Sequence, residues 1–219
     1  MILLFGGSFD PVHLGHVETA RAAQQALAAD TVVWLPAARS PLKDTPGASA
    51  ADRGEMLRLQ LASTAACGWQ LSLEELEAPP PSYTIDTLRR WRRRIGPEQP
   101  LAFLIGRDSL QTLPAWRDWD RLTEVAHLVV ATRPGHEQPL PMALADWWSA
   151  RQTDQPKLLQ CAPSGRILTL TTPPWPISSS ILRLALHTRE PVADWLAPAV
   201  QDYIDHHGLY RPPETPANP

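Results

Sequence analysis

The chain has 219 residues, 43% of them hydrophobic and 20% charged, with 20 Lys+Arg against 23 Asp+Glu for a formal net charge of −3. That composition excludes wholesale disorder, and the charge balance offers no global basic field to hold duplex nucleic acid. Two cysteines are too few for a disulfide framework, no apolar run is long enough to span a membrane, and the start Met1–Phe5 lacks a basic signal region. A single domain over 1–211 in a reducing cytoplasm is therefore expected, with no membrane or nucleic-acid partner; oligomeric state is not legible.

Ile2–Phe5 is a compact apolar run halted by Gly6-Gly7, which predicts a buried strand. From Gly15 to Ala29, Val17, Ala20, Ala23 and Leu27 recur at helical spacing. Thr31–Leu35 predicts a second strand, stopped by Pro36, and Ser40–Ala50, with Pro, Gly, Ser and Asp, reads as a mobile loop. A helix follows over Asp52–Cys67, with Met56, Leu57, Leu59, Leu61 and Ala65 on its apolar side. Next come a strand over Trp69–Leu73 and, after Pro79-Pro80-Pro81-Ser82, a helix over Tyr83–Ile95. Further strands are predicted at Leu101–Ile105, His127–Ala131 and Arg166–Leu170, and helices at Ser178–Leu186 and Val192–His206. The Pro-rich tail 212–219 reads as disordered. No internal repeat appears. Strands alternating with helices imply right-handed parallel crossovers, hence an α/β fold: a doubly wound, mainly parallel, Rossmann-like sheet with helices on both faces. Ligands of such sheets sit at the carboxyl ends of the strands.

The segment Gly6-Gly7-Ser8-Phe9-Asp10-Pro11-Val12-His13-Leu14-Gly15-His16 links the first predicted strand to the first helix. Glycines there let the backbone approach a ligand, and a helix N-terminus presents free N–H groups to phosphate. His13 and His16 lie three apart at that positive end, and Gly15 removes a side chain between them. A glycine turn beside two surface histidines is the plain alternative, but strand, glycines, His-x-Gly-His and helix in this order favour a phosphate site.

A second cradle is Ile177-Ser178-Ser179-Ser180-Ile181-Leu182-Arg183. Ser178 suits a helix cap, the other serines leave hydroxyls over, and Arg183 lies one turn on from Ser179 and Ser180, its guanidinium able to grip anionic oxygens bidentately. Ser82-Tyr83-Thr84 opens a helix that could hold a small carboxylate, against the alternative of a simple cap. In Gly106-Arg107-Asp108, after the Leu101–Ile105 strand, an Asp could meet a ribose hydroxyl, and Trp116 could stack on an aromatic ligand or simply pack. The cluster Arg89-Arg90, Arg92-Arg93-Arg94 reads as a solvated helix face, with RNA contact as the alternative.

On these residues the chain resembles the bacterial nicotinate-nucleotide adenylyltransferases, within the nucleotidyltransferase superfamily that shares the His-x-Gly-His motif. The resemblance runs from Ile2 to Arg211. It rests on GGSFDPVHLGH at 6–16, PSYTIDTL at 81–88, IGRDSL at 105–110, Trp116, HLVVATRPG at 127–135, ISSSILR at 177–183 and the closing Tyr203-Ile204 and Gly208-Leu209-Tyr210. It implies that ATP and nicotinate mononucleotide are joined to deamido-NAD with release of pyrophosphate, by direct in-line attack without a covalent enzyme intermediate. By the same resemblance His13, His16 and Arg183 are catalytic. Gly6, Gly7, Ser8, Phe9, Gly15, Lys43, Gly106, Asp108, Arg133, Ile177, Ser178 and Ser180 bind ATP, and Tyr83, Thr84 and Trp116 bind the mononucleotide. Mg²⁺ is implied as cofactor, carried mainly by substrate phosphates and water rather than by a dedicated protein cage.

Three segments depart from the family pattern. The loop that commonly reads Pro-Pro-His-Lys or Pro-Pro-His-Arg is here Ser40-Pro41-Leu42-Lys43, so the histidine's share of phosphate binding is absent or moved to Lys43. Ser8 and Ser180 stand where Thr is usual, and both keep the hydroxyl. A nicotinamide-mononucleotide transferase, or another small-molecule adenylyl- or cytidylyltransferase, is the nearest alternative. A non-catalytic nucleotide-binding regulator is the alternative from another class.

Overall fold

The structure is a computed structural model that describes residues 1–38, 47–78, 81–132, 139–173 and 175–212. Among the described residues, seven strands form one parallel sheet: β1 (Ile2–Gly7), β2 (Thr31–Pro36), β3 (Trp69–Leu71), β4 (Leu101–Gly106), β5 (His127–Thr132), β6 (Gln152–Thr153) and β7 (Ile167–Thr171), in the order β3-β2-β1-β4-β5-β7-β6. From β1 the chain winds outward through β2 and β3. It then returns to the other side of β1 for β4, β5 and the rest, so the winding reverses between β1 and β4.

The helices among the described residues are α1 (Leu14–Leu27), α2 (Ala50–Ala62), α3 (Glu74–Glu77), α4 (Thr84–Ile95), α5 (Asp108–Thr112), α6 (Leu122–Val125), α7 (Ala145–Ser149), α8 (Ser179–Thr188) and α9 (Pro198–His206). Successive strand residues point to opposite faces, so the apolar runs feed two cores. Leu3, Phe5, Val32, Trp34, Ala102 and Leu104 join Val17, Met56, Leu182 and Ile204 under α1, α2, α8 and α9. Leu4, Val33, Leu35, Leu101, Phe103 and Ile105 join Leu88, Trp91 and Trp148 under α4 and α7. None of the described helices is long and apolar enough to cross a membrane.

Two predicted helices are shorter than their periodicity implies. The span expected over Val192–His206 begins only at Pro198, with Ala197 as its cap. Proline has no N–H to bond a carbonyl four residues back, so it opens a helix rather than continuing one. Val192 and Leu196 are buried without being helical. The helix expected over Asp52–Cys67 runs Ala50–Ala62: Ser49 accepts from the Asp52 N–H at its start, and the Ser63 and Thr64 hydroxyls both donate to the Gln60 carbonyl at its end. Ala65, expected on its apolar side, is exposed beyond it. Of the 212–219 tail, 213–219 lie outside the described residues.

One histidine is structural. His127, buried at the start of β5, accepts the Arg166 N–H on Nδ1 (3.0 Å) and donates from Nε2 to the Ala162 carbonyl (2.9 Å), which requires a neutral ring. Burial pulls its pKa below the ordinary 6.5. The unfolded chain therefore binds this proton first as pH falls, so the contribution is complete above about pH 6.5 and declines below it. Stability measured by urea unfolding should drop between about pH 7 and about pH 5, and less steeply in His127→Asn. Equal slopes would contradict this.

Candidate active site

The carboxyl ends of β1 and β4, where the winding reverses, carry Gly6-Gly7 and Gly106. After β1 the chain turns sharply. Phe9 adopts φ 46, in the left-handed region that costs a residue with a Cβ about 1–2 kcal/mol, and a cis Asp10–Pro11 bond follows. The buried Phe9 ring is held edge-on by Phe5 (5.2 Å between centroids) and His16 (5.0 Å). That packing explains how the strained turn persists.

His13 is the N-cap of α1 and His16 its third residue. The His13 N–H donates to His16 Nδ1 at 3.2 Å, and the His16 N–H donates to the His13 backbone carbonyl at 2.9 Å, so the two residues close the first turn of α1 on each other. Because Nδ1 accepts, the proton of a neutral His16 ring sits on Nε2. The two rings lie 3.7 Å apart. A Cβ on Gly15 would stand 3.0 Å from the His13 ring and 3.1 Å from Ile177, so a larger residue would push the His13 ring or the segment that leads into α8 away from the N-terminus of α1.

At α8, Ser178 caps the helix by accepting the Ile181 N–H (3.2 Å). Ser179, grouped with Arg183 on sequence spacing, donates instead to the Pro11 carbonyl (3.1 Å), tying α8 to the turn after β1. Arg183 donates to the Asp10 carbonyl (2.7 Å) and the Ser180 hydroxyl (3.3 Å). The structure thus brings His13, His16, Ile177, Ser178, Ser180 and Arg183 around two adjacent helix N-termini, a concentration of N–H donors and positive potential suited to a polyphosphate. Ser8, half-buried, lies in the same turn. Gly106 and Asp108 are exposed at the end of β4 and the start of α5. Lys43 and the 39–46 stretch of the loop expected to be mobile, together with Arg133, lie outside the described residues.

A second group forms over the other core. Tyr83 is the N-cap residue of α4, Thr84 its first residue, and Trp116 packs with Tyr83 against the same buried cluster. The Arg117 guanidinium lies 4.9 Å over the Tyr83 ring, and Arg89 bonds Asp118 (3.2 Å), fastening the Trp116 segment to α4. The arginine cluster is largely engaged within the protein: Arg92 donates to the Val125, Gly96, Gln99 and Pro163 carbonyls, Arg90 to Thr87, and Arg94 to Glu74.

Three residues that organise the site escape sequence reasoning. Asp10, 4% exposed, accepts the Gly47 N–H (2.7 Å), the Ala48 N–H (3.1 Å) and the Tyr210 hydroxyl (2.7 Å). Arg53, 1% exposed, donates to the Ser8, Ala37 and Ala38 carbonyls at 2.7, 2.6 and 2.7 Å, joining the turns after β1 and β2. Arg53 had a signal: with Met56, Leu57 and Gln60 it falls on one helical face, all of it buried. Tyr210 had none beyond its place in the closing motif.

Comparison with known proteins gives the same frame. A family model described as cytidylyltransferase-like matches residues 4–185. A nicotinate-nucleotide adenylyltransferase of Salmonella typhimurium is 39% identical over 211 residues, covering 95% of this chain and 97% of that protein. A protein of Stenotrophomonas maltophilia named "Probable nicotinate-nucleotide adenylyltransferase" is 42% identical over 222 residues, covering 96% and 97%. Among solved structures, a Plasmodium falciparum nicotinic acid mononucleotide adenylyltransferase complexed with NaAD shares the fold, with a TM-score of 0.72 at 18% identity over 95% of this chain and 96% of that one.

Proposed function

We propose, from the premise that this chain belongs to the cytidylyltransferase-like family and, within it, to the nicotinate-nucleotide adenylyltransferases, that it joins ATP to nicotinate mononucleotide by in-line transfer. A 5′-phosphate oxygen of the mononucleotide attacks the α-phosphorus of ATP. The bond from that phosphorus to the oxygen bridging the β-phosphate breaks, and pyrophosphate leaves. The observation that carries this reading is the pairing of the α1 and α8 N-termini, with His13, His16, Ser180 and Arg183 between them. These are donors and a cation without a positioned nucleophile, so the chemistry they support is orientation and charge stabilisation of a phosphoryl transition state. Ser178 and Ser180 would line the triphosphate, Asp108 the adenosine ribose, and Lys43 and Arg133 the phosphates and the adenine.

Mg²⁺ fits this site as a companion of the nucleotide. Asp10, the carboxylate of the His13 turn, is occupied by the Gly47 and Ala48 N–H groups and the Tyr210 hydroxyl, so phosphate oxygens and water would hold the ion. When bound, it neutralises phosphate charge.

The acid is distinguished from the amide at α4. Its first N–H groups, beside Thr84, can donate to a carboxylate with two acceptor oxygens, whereas an amide NH₂ facing them offers no acceptor. Trp116 would stack on the pyridine ring of either ligand. The charge-assisted bond is worth roughly 1.5–3 kcal/mol, about ten- to a hundredfold in specificity. Trp116→Ala should weaken both mononucleotides with their ratio nearly unchanged. Thr84→Pro, which deletes one N–H, should lower the ratio while circular dichroism shows α4 intact.

The test of the function is pyrophosphate release from ATP with each mononucleotide in parallel. Efficient turnover with nicotinate mononucleotide supports the reading. Equal efficiency with both would reduce it to a pyridine-nucleotide adenylyltransferase of unspecified preference. ATP binding without turnover would favour a nucleotide-binding regulator.

A further inference from the structure

The Asp10 carboxylate connects three parts of the chain that are far apart in sequence. Oδ1 accepts the Ala48 N–H (3.1 Å) and the Tyr210 hydroxyl (2.7 Å), and Oδ2 accepts the Gly47 N–H (2.7 Å) and lies 3.8 Å from the Arg183 guanidinium. Arg183 makes its close bond to the Asp10 backbone carbonyl, on the same NH1 nitrogen, at 2.7 Å. Gly47 sits between the two: a Cβ there would lie 3.1 Å from the Tyr210 ring and 3.3 Å from Arg183 Cδ. Tyr210 itself adopts φ 63, a left-handed conformation for a residue with a Cβ, which persists only where surrounding contacts dictate it. Burial and the neighbouring Asp10 push the Tyr210 phenol well above its ordinary pKa, so it acts only as a donor.

We propose that Tyr210 is a positioning residue for ATP: by donating to Asp10 it keeps that carboxylate turned toward the backbone at Gly47 and Ala48, and so leaves the Arg183 guanidinium available to the triphosphate. This rests on the reading above that Arg183 binds ATP. The physical reason is competition for a buried anion. With the hydroxyl present, Asp10 has three neutral donors on its two oxygens, and Arg183 stays at 3.8 Å. Without it, Oδ1 keeps one donor; Arg53, the other cation near Asp10, is engaged by the Ser8, Ala37 and Ala38 carbonyls, whereas Arg183, already 3.8 Å from Oδ2, has a fork able to close on the carboxylate as an ion pair. A guanidinium so paired is turned from the phosphates and has its charge neutralised. Asp10 is thus a partner that Arg183 must be kept from capturing, and the closing segment of the chain supplies the restraint.

Tyr210→Phe keeps the ring against Gly47 and removes only the hydroxyl. ATP binding, measured by calorimetry without mononucleotide, should weaken roughly tenfold, while KM for nicotinate mononucleotide stays within about twofold. Arg183→Lys should weaken ATP by itself, since an ammonium cannot reproduce the bidentate fork. In that background Tyr210→Phe should add little. Additive losses, an equal rise for both substrates, or unchanged ATP affinity in Tyr210→Phe would each overturn the proposal and leave Tyr210 as a chain anchor. An Arg183→Lys protein with wild-type ATP affinity would overturn it too, by removing the residue through which Tyr210 acts. A wild-type protein that binds ATP but turns over neither mononucleotide would defeat the functional reading alone, because the binding comparison stands without turnover.

Discussion

His16→Ala is expected to retain the fold and lose turnover by roughly 10²- to 10³-fold, about 3–4 kcal/mol of transition-state stabilisation, as when one donor to a developing oxyanion is removed. His16 Nδ1 takes the His13 backbone N–H at 3.2 Å, which commits the ring's proton to Nε2 and fixes the direction in which that N–H is offered. The Phe9 ring, 5.0 Å away, limits how far the imidazole can swing. A donor held before substrate arrives needs no reorganisation when charge builds on the α-phosphate, so its removal should appear in kcat more than in KM for ATP. His16→Asn, whose shorter amide can still accept the His13 N–H, should keep α1 capped and lose nearly as much rate, separating the cap from the chemistry. Wild-type kcat in both variants would remove His16 from the reaction.

Arg53→Met is expected to cost about 3 kcal/mol of stability, because the half-buried Ser8, Ala37 and Ala38 carbonyls lose their donor together and each costs about 1 kcal/mol, the low end of the range for an unsatisfied group. Methionine preserves most of the buried stem, so the loss isolates the hydrogen bonds rather than a cavity. Burial disfavours the guanidinium charge and pulls its pKa down, with nearby Asp10 opposing that shift, so removing the charge offsets part of the loss. For a chain of this size the deficit corresponds to a fall in Tm of roughly 6–12 °C. A fall of less than about 3 °C would show that the three carbonyls find other donors. ATP binding should weaken as well, because Arg53 ties the turn carrying Ser8 to the chain leaving β2.

The apolar runs Ile2–Phe5, Thr31–Leu35, Leu101–Ile105 and His127–Ala131 determined their strands directly, because a parallel strand buried on both faces is apolar at nearly every position. Their alternation with helical periods determined the parallel doubly wound sheet. GGSFDPVHLGH and ISSSILR declared two helix starts, α1 and α8, since glycine tolerance and capping residues are local requirements. Helix ends were less legible: Pro198 and the Ser63–Thr64 hydroxyls stopped or started helices inside stretches whose periodicity ran on.

Only the tertiary structure decided how those motifs were joined. Ser179 looked like a ligand group by spacing from Arg183 and turned out to secure the Pro11 carbonyl. Asp10, which the first motif contains without assigning it a role, is the acceptor for Gly47, Ala48 and Tyr210, the last of them 200 positions away. Arg53, which belongs to no motif, is buried and holds two turns through the Ser8, Ala37 and Ala38 carbonyls. Each of these roles depends on a partner brought near by the sheet order and the packing of α8 and α9. Periodicity reports how a residue faces its own element, but a buried polar group is satisfied by whichever donor or acceptor the fold places opposite it, and that partner is invisible until the chain has closed.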